Sequence, residues 1–294
     1  MDASDRWLAG ELLALFAVAY ALIAYNARVL HYPGISYFPR QMIPVLFPLA
    51  ELGALGLLLR RRHPRSAFVL GHWAALGLLM AAVSMMVTGL QYTPHAAIDA
   101  RLAAFDARAG VSVTGLLAWT HARPPLLRLL RVCYAVLDAE VFVVPALVAL
   151  TGDERRMRVY LHAGALSFLA GGLFYWFYPS SGPASLLSSP YFTAEQLSTS
   201  LKFRLIHSGV TPPSGSGGMI AFPSFHVVWA VLLAWASLAD RRLARAVVPL
   251  NALMIAATLL LAWHFLADAL GGLALASASL WLAELLHARL SRAA

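Results

Sequence analysis

The chain has 294 residues, of which 60% are hydrophobic and only 12% charged. Soluble domains carry about 25% charged residues, so this composition excludes a soluble globular protein and predicts an integral membrane protein. The formal charge is +8, Lys202 is the only lysine, and a single cysteine, Cys133, leaves no intrachain disulfide. In a membrane protein a basic excess points to anionic headgroups and cytoplasmic connectors. No basic stripe with interleaved aromatics occurs, so nucleic acid is not an expected partner.

The first residues include Asp2, Asp5 and Arg6. That is a poor start for a cleaved signal peptide, so the first apolar stretch is expected to be a retained span. A span needs about 20 mostly apolar residues. Eight stretches qualify: 7–26, 41–59, 67–90, 126–150, 158–178, 221–239, 246–265 and 267–286. All are expected to be helices, because backbone polar groups in lipid must be satisfied within the segment. The predicted fold class is an all-α, polytopic membrane helix bundle.

Two connectors are too long for simple turns. Residues 91–125 have helical periodicity and both charge signs, which predicts a helix lying in the interface. Residues 179–220 are rich in Ser, Gly and Pro, and a loop of that length is expected to be functional. The short connectors "RRRHPRS" (60–66), "TGDERRMR" (151–158) and "DRRLAR" (240–245) are strongly basic. Eight spans with both termini inside place all three in the cytoplasm. The connector 27–40, with Arg28 and Arg40, argues mildly the other way.

Within the spans, Asp138 and Glu140 are expected to pair with arginines or histidines as internal glue. Glu11, Glu51, Glu284, His72 and His162 take the same reading. The glycine pairs 171–172 and 271–272 are expected to allow close helix packing.

Two polar knots stand out. "AFPSFH" (221–226) sits at the mouth of an apolar span, and "LLLAWHFLADALGG" (259–272) follows about forty residues later. A hairpin of two antiparallel spans joined by the 240–245 connector returns His264 to the membrane face that holds His226. His264 and Asp268 are four apart, which on a helix puts them on one face. Asp268 can then fix the tautomer of His264 and leave its other nitrogen as a nucleophile or base. A histidine so oriented can attack phosphorus, and a second, protonated one, His226, can give its proton to the leaving oxygen. The backbone amides after Pro223, at Phe225 and beyond, together with the Ser224 hydroxyl, are donors for the nonbridging oxygens.

These residues carry a resemblance. "FPSFH" followed by "HFLAD" and glycine, with "FYPSSGP" (177–183) and "DARLAAFDARAG" (99–110) before them, resembles the type 2 phosphatidic acid phosphatase superfamily. More narrowly, the chain looks like the branch that holds fungal inositol phosphorylceramide synthase. The similarity covers roughly residues 95–285 and implies a six-helix phosphatase-like core. Two N-terminal spans (1–66) would precede a lipid phosphatase or phosphotransferase core (67–294). It also implies His264 as nucleophile, Asp268 as its orienting partner, His226 as general acid, phosphate held around Ser224, and a reaction without metal or other cofactor. The sequence departs from the phosphatases of the superfamily in two places. A lysine followed six residues later by Arg-Pro is missing, and so is the arginine shortly before the second histidine motif. The cation for the phosphate is therefore sought in "LKFRLIHSG" (201–209), at Lys202, Arg204 or His207, with Arg204 preferred.

The function expected is removal or transfer of a phosphoryl or phospho-headgroup of a lipid through a phosphohistidine. The resemblance leans to transfer onto a lipid or polyol alcohol, in a bacterial inner membrane with the site on the outer, periplasmic face. Alternatives are a lipid phosphate or polyprenyl diphosphate phosphatase and, in another class, a proton-coupled transporter using His and Asp as a relay. Widely separated histidines would favour the transporter.

Overall fold

The computed structural model describes residues 3–32, 43–212 and 220–292. Asp2, Arg40 and residues 213–219 of the long connector lie outside the described residues. The elements are α1 (Ala3–Arg28), α2 (Ile43–Leu59), α3 (Pro64–Leu90), α4 (Asp99–Arg108), α5 (Val113–His121), α6 (Pro124–Thr151), α7 (Glu154–Phe177), a 3-10 turn (Pro183–Ser185), α8 (Ala194–His207), α9 (Phe225–Ser237), α10 (Arg241–Leu260) and α11 (Leu266–Arg292). No strand occurs among the described residues. Among the described residues six helices are long and apolar enough to cross a membrane, namely α1, α3, α6, α7, α10 and α11, while α2 and α9 are apolar but shorter. The protein is an all-α integral membrane helix bundle.

Local chemistry sets the helix ends. Pro64 and Pro124 open α3 and α6, where their fixed φ and missing N–H cost nothing. Asp153 and Asp240 cap α7 and α10 through side-chain acceptors. Gly152, at φ 81°, ends α6 in the left-handed conformation that a side chain would disfavour.

Reading α1 as rising, the alternation of helices puts the turns after α2, α6 and α9 and the end of α11 at one end of the bundle, here the basic end. Contacts there agree with this order. Arg156 of α7 donates to the Trp235 carbonyl of α9 at 2.8 Å, and Arg155 pairs with Glu284 of α11. At the opposite end, Asn26 of α1 donates to the Gly89 carbonyl of α3 at 2.6 Å, and Thr93 donates to the Trp176 carbonyl of α7. The short elements α4, α5, the 3-10 turn and α8 all belong to this second end.

The core is continuous through α1, α3, α6, α7, α9, α10 and α11. The α1 residues Leu8, Leu12, Leu15, Ala19 and Ile23 recur every three to four positions and form one buried stripe in it. Both glycine pairs do allow close packing. A Cβ on Gly172 would collide with the Met86 side chain, and one on Gly272 would meet the Ser224 carbonyl at 2.5 Å.

Two sequence expectations change. The 179–220 connector is not all loop: Thr193 and Gln196 form a capping box that opens α8. The apolar stretch 246–265 is not one helix, because α10 ends at Leu260 and residues 261–265 form a turn before α11. Its tight point is Ala262 at φ 55°, in a region that a residue with a Cβ adopts at a cost of about 1–2 kcal/mol.

Candidate active site

The turn 261–265 carries His264, and three elements hold it. Gln196 of α8 donates through Nε2 to the Leu261 and Ala262 carbonyls, both at 2.9 Å. Asp106 of α4 accepts from the Leu266 and Ala267 amides at 2.8 and 3.2 Å, which closes the start of α11. Asp268 Oδ2 reaches back to accept from the Phe265 amide at 2.8 Å. The paired carboxylate of α4, Asp99, clamps the "PSSGP" stretch by accepting from the Ser180 hydroxyl and the Gly182 amide, each at 2.9 Å. The Ala221 amide then donates to the Ser180 carbonyl, which ties that stretch to the "FPSFH" turn.

Asp99, Leu102 and Asp106 are spaced three and four apart and form the buried face of α4, while Arg101, Phe105 and Arg108 are exposed on the other. Burial raises both aspartates above the ordinary carboxylate range, against the hydrogen bonds they accept.

The second histidine stands at the start of α9. Ser224 is the cap: its hydroxyl accepts from the Val227 amide at 3.4 Å, and its own amide donates to the Asp268 carbonyl at 3.0 Å. The amides of Phe225 and His226 fall in the first turn, where a helix offers donors without an intrahelical partner. Phe225 turns its ring inward to stack on Phe168 at 4.2 Å, so its contribution to the site is its backbone.

The hairpin brings the knots together. His264 Nε2 lies 3.4 Å from His226 Nδ1, and His264 Nδ1 lies 3.4 Å from Asp268 Oδ2. The expected route to that last contact needs correction. His264 is not on the helix with Asp268; it precedes α11, and the carboxylate comes up to it from the helix's first turn. The approach is close enough for charge attraction, yet His264 Nδ1 and Asp268 Oδ1 are both buried without a hydrogen bond. Burial lowers the proton affinity of His264, opposed by the nearby Ala221 backbone. In the neutral ring, a proton on Nδ1, toward Asp268, leaves a lone pair on Nε2, the nitrogen that faces His226.

Sequence reasoning missed Tyr134 of α6. Its hydroxyl is 3.0 Å from His226 Nε2, and its ring stacks on His226 at 4.7 Å and on Trp263 at 5.3 Å, the latter pair only 8° from parallel. One turn further along α6, Asp138 acts electrostatically on both Tyr134 and His226 and is exposed, not sealed in an internal pair. Glu140 is buried as expected, but its partner is the Asn251 amide, at 3.3 Å.

The three candidate cations lie in the second half of α8, beyond the Gln196 turn. Lys202 is buried, and burial lowers its proton affinity. Arg204 is exposed. His207 Nδ1 bonds the Phe203 carbonyl at 2.9 Å, and its ring stacks on Phe203. Among the described residues, the hydrogen bonds and ring contacts of Arg204 and His207 do not reach His226 or His264. No three His, Cys, Asp or Glu side chains gather as a metal site would require among the described residues.

A family model described as PAP2 superfamily matches residues 100–282, well over half of the chain, from within α4 to within α11. The chain belongs to the PAP2 superfamily. As a PAP2 protein it is a membrane enzyme of lipid phosphatase type. Searches of curated proteins and of solved structures returned no match. The PAP2 match begins within α4, one residue after Asp99, so this helix belongs with the histidine motifs and not with α1, α2 and α3, which precede it.

Proposed function

We propose that this PAP2 protein moves the phosphoryl or phospho-headgroup of a lipid through a phosphohistidine, and that it passes the group to an alcohol. The observation that carries the reading is the 3.4 Å approach of His264 Nε2 to His226 Nδ1 at the start of α9, with Asp268 behind His264. In the first half, His264 Nε2 attacks phosphorus and the bond to the leaving oxygen breaks. That oxygen takes a proton from His226 Nδ1. In the second half, the acceptor oxygen attacks phosphorus and its proton goes to His226 Nδ1. The P–N bond then breaks and His264 is restored. Asp268 steadies the positive charge that develops on His264, in the role a buried carboxylate plays beside a catalytic imidazole.

The Phe225 and His226 amides would hold nonbridging oxygens, aided by the partial positive end of α9, with Ser224 shaping that turn. Arg204, exposed on α8, is the cation that we assign to an approaching lipid phosphate, with Lys202 and His207 beside it in sequence. No metal or other cofactor enters this scheme.

Two features support transfer over hydrolysis. The motifs resemble the inositol phosphorylceramide synthase branch, and His264 is only 3% exposed, which disfavours water as the acceptor. A lipid or polyol hydroxyl is the expected acceptor. The arginine-rich connectors at the basic end favour the cytoplasm for that end, which supports a site on the outer face of the membrane, the periplasmic face if that membrane is a bacterial inner one. Two histidines in contact favour this chemistry over a transporter's relay across the bilayer.

The test uses purified protein in detergent. Labelled phosphatidic acid, a polyprenyl diphosphate and phosphatidylinositol are each supplied with and without ceramide or diacylglycerol, beside His264→Ala. A new phospholipid that needs both His264 and the acceptor is the expected result. Free phosphate that ignores the acceptor would assign hydrolysis instead, and full activity of His264→Ala would sink the mechanism.

A further inference from the structure

The two ring nitrogens of His226 face different partners, and the difference sets a requirement. Nδ1 points to His264 Nε2 and so to the place where phosphorus would sit. Nε2 points away from it, to the Tyr134 hydroxyl at 3.0 Å. If Nδ1 is to give a proton to the leaving oxygen and take one back from the acceptor, the ring must keep its other proton on Nε2 throughout. A buried N–H without an acceptor is costly. The Tyr134 oxygen is the group placed to accept it.

We infer that Tyr134 is the positioning residue of His226: its oxygen accepts a hydrogen bond from Nε2–H and thereby reserves Nδ1 for proton transfer at phosphorus. This rests on the reading of His226 as the proton-transfer group. The proton count is simple. One proton leaves Nδ1 for the leaving oxygen, one returns to Nδ1 from the acceptor hydroxyl, and Tyr134 keeps its own proton.

A hydroxyl suits this position better than a carboxylate. It accepts from Nε2–H whether the ring is charged or neutral, so it holds the tautomer without fixing the charge. The ring of Tyr134 adds a second constraint. Stacked on both His226 and Trp263, it ties the plane of one histidine to the residue that precedes the other. The stack thus fixes the plane of the His226 ring, and orientation of this kind contributes to the rate of proton transfer. Tyr134 lies 92 positions before His226, on a different span.

Tyr134→Phe keeps the ring and removes the oxygen. The expected result is a fall in kcat of about 100-fold, the low end of what general acid–base catalysis contributes, with KM little changed and the protein still folded. Nitrogen-15 NMR of the His226 ring reads the hydrogen bond without reference to turnover. The wild type should carry a proton on Nε2 in both the charged and the neutral ring, and in Tyr134→Phe the neutral ring should shift toward protonation on Nδ1. A Tyr134→Phe variant with wild-type kcat, or a wild-type His226 protonated on Nδ1 alone, would overturn the inference. His264→Ala is run alongside: its full activity would defeat the phosphohistidine reading, while the NMR result would still decide the role of Tyr134.

Discussion

The bundle holds two buried histidine–carboxylate clusters, and they are built to opposite standards. Toward the basic end, His162 of α7 has both ring nitrogens occupied. Nδ1 lies 2.7 Å from Glu11 Oε2 and Nε2 lies 3.1 Å from the Ser4 hydroxyl. At the other end, His264 and Asp268 stand 3.4 Å apart with one buried atom on each left unbonded. The first joins α1 to α7; in the second His264 and Asp268 lie four residues apart, and it is His264 that reaches His226 of α9. A group with every valence for hydrogen bonding filled has nothing left for a ligand, and its energy is stored in holding α1 to α7. A group buried with a vacant one is costly to the fold, and such exceptions concentrate where a ligand supplies the missing partner. Glu11 also lines a groove of about 550 Å³ with Arg6, Trp7, Gly10, Ala14 and Leu169. That groove lies beside the filled cluster, whereas His264 and Asp268 each keep a buried atom unbonded at the other end.

The sharpest way to break this contrast is to remove each histidine. His264→Ala should lower turnover by roughly 10⁴-fold or more and abolish any acid-labile phosphoprotein, with thermal unfolding little affected. Asp268→Asn should come next, cutting kcat by roughly 10²–10⁴ while single-turnover labelling of His264 slows in parallel. His162→Ala should do the reverse. It leaves the Glu11 carboxylate buried without a partner, at a cost of about 3–5 kcal/mol, seen as a lower midpoint in denaturation, while kcat per folded molecule stays near wild type. Equal loss of kcat in His162→Ala and His264→Ala would erase the distinction between the clusters. The smallest expected effect is that of Asp106→Asn. It weakens charge-assisted bonds worth about 1.5–3 kcal/mol each and should show as a modest loss of kcat with a small loss of stability.

Much of this was legible in the sequence, for reasons that differ by residue. The helix hairpin that returns His264 to His226 follows from counting apolar residues, because lipid thickness fixes span length. The glycines after Asp268 announced close approach, and the Ser224 carbonyl lies where a side chain on Gly272 would be. The turn at 261–265 was hidden because Leu261, Ala262, Trp263 and Phe265 are as apolar as a span, so hydropathy runs straight through it. The Thr193–Gln196 pattern was readable as a helix start but sat inside a Ser- and Pro-rich connector that reads as loop. Tyr134 left no local signal at all. Its role arises only from the packing of α6 against α9, and neither spacing nor composition encodes which face of a buried span meets a histidine.

The buried face of α4 has one more consequence, for tolerance to insertion and deletion. Asp99 grips the Ser180 stretch and Asp106 grips the start of α11, seven residues apart on one side of a ten-residue helix. Removing a single residue between them would swing one carboxylate about 100° around the axis, so that one of the two grips is released whichever way the helix settles. Length changes accumulating among relatives should therefore spare residues 100–105.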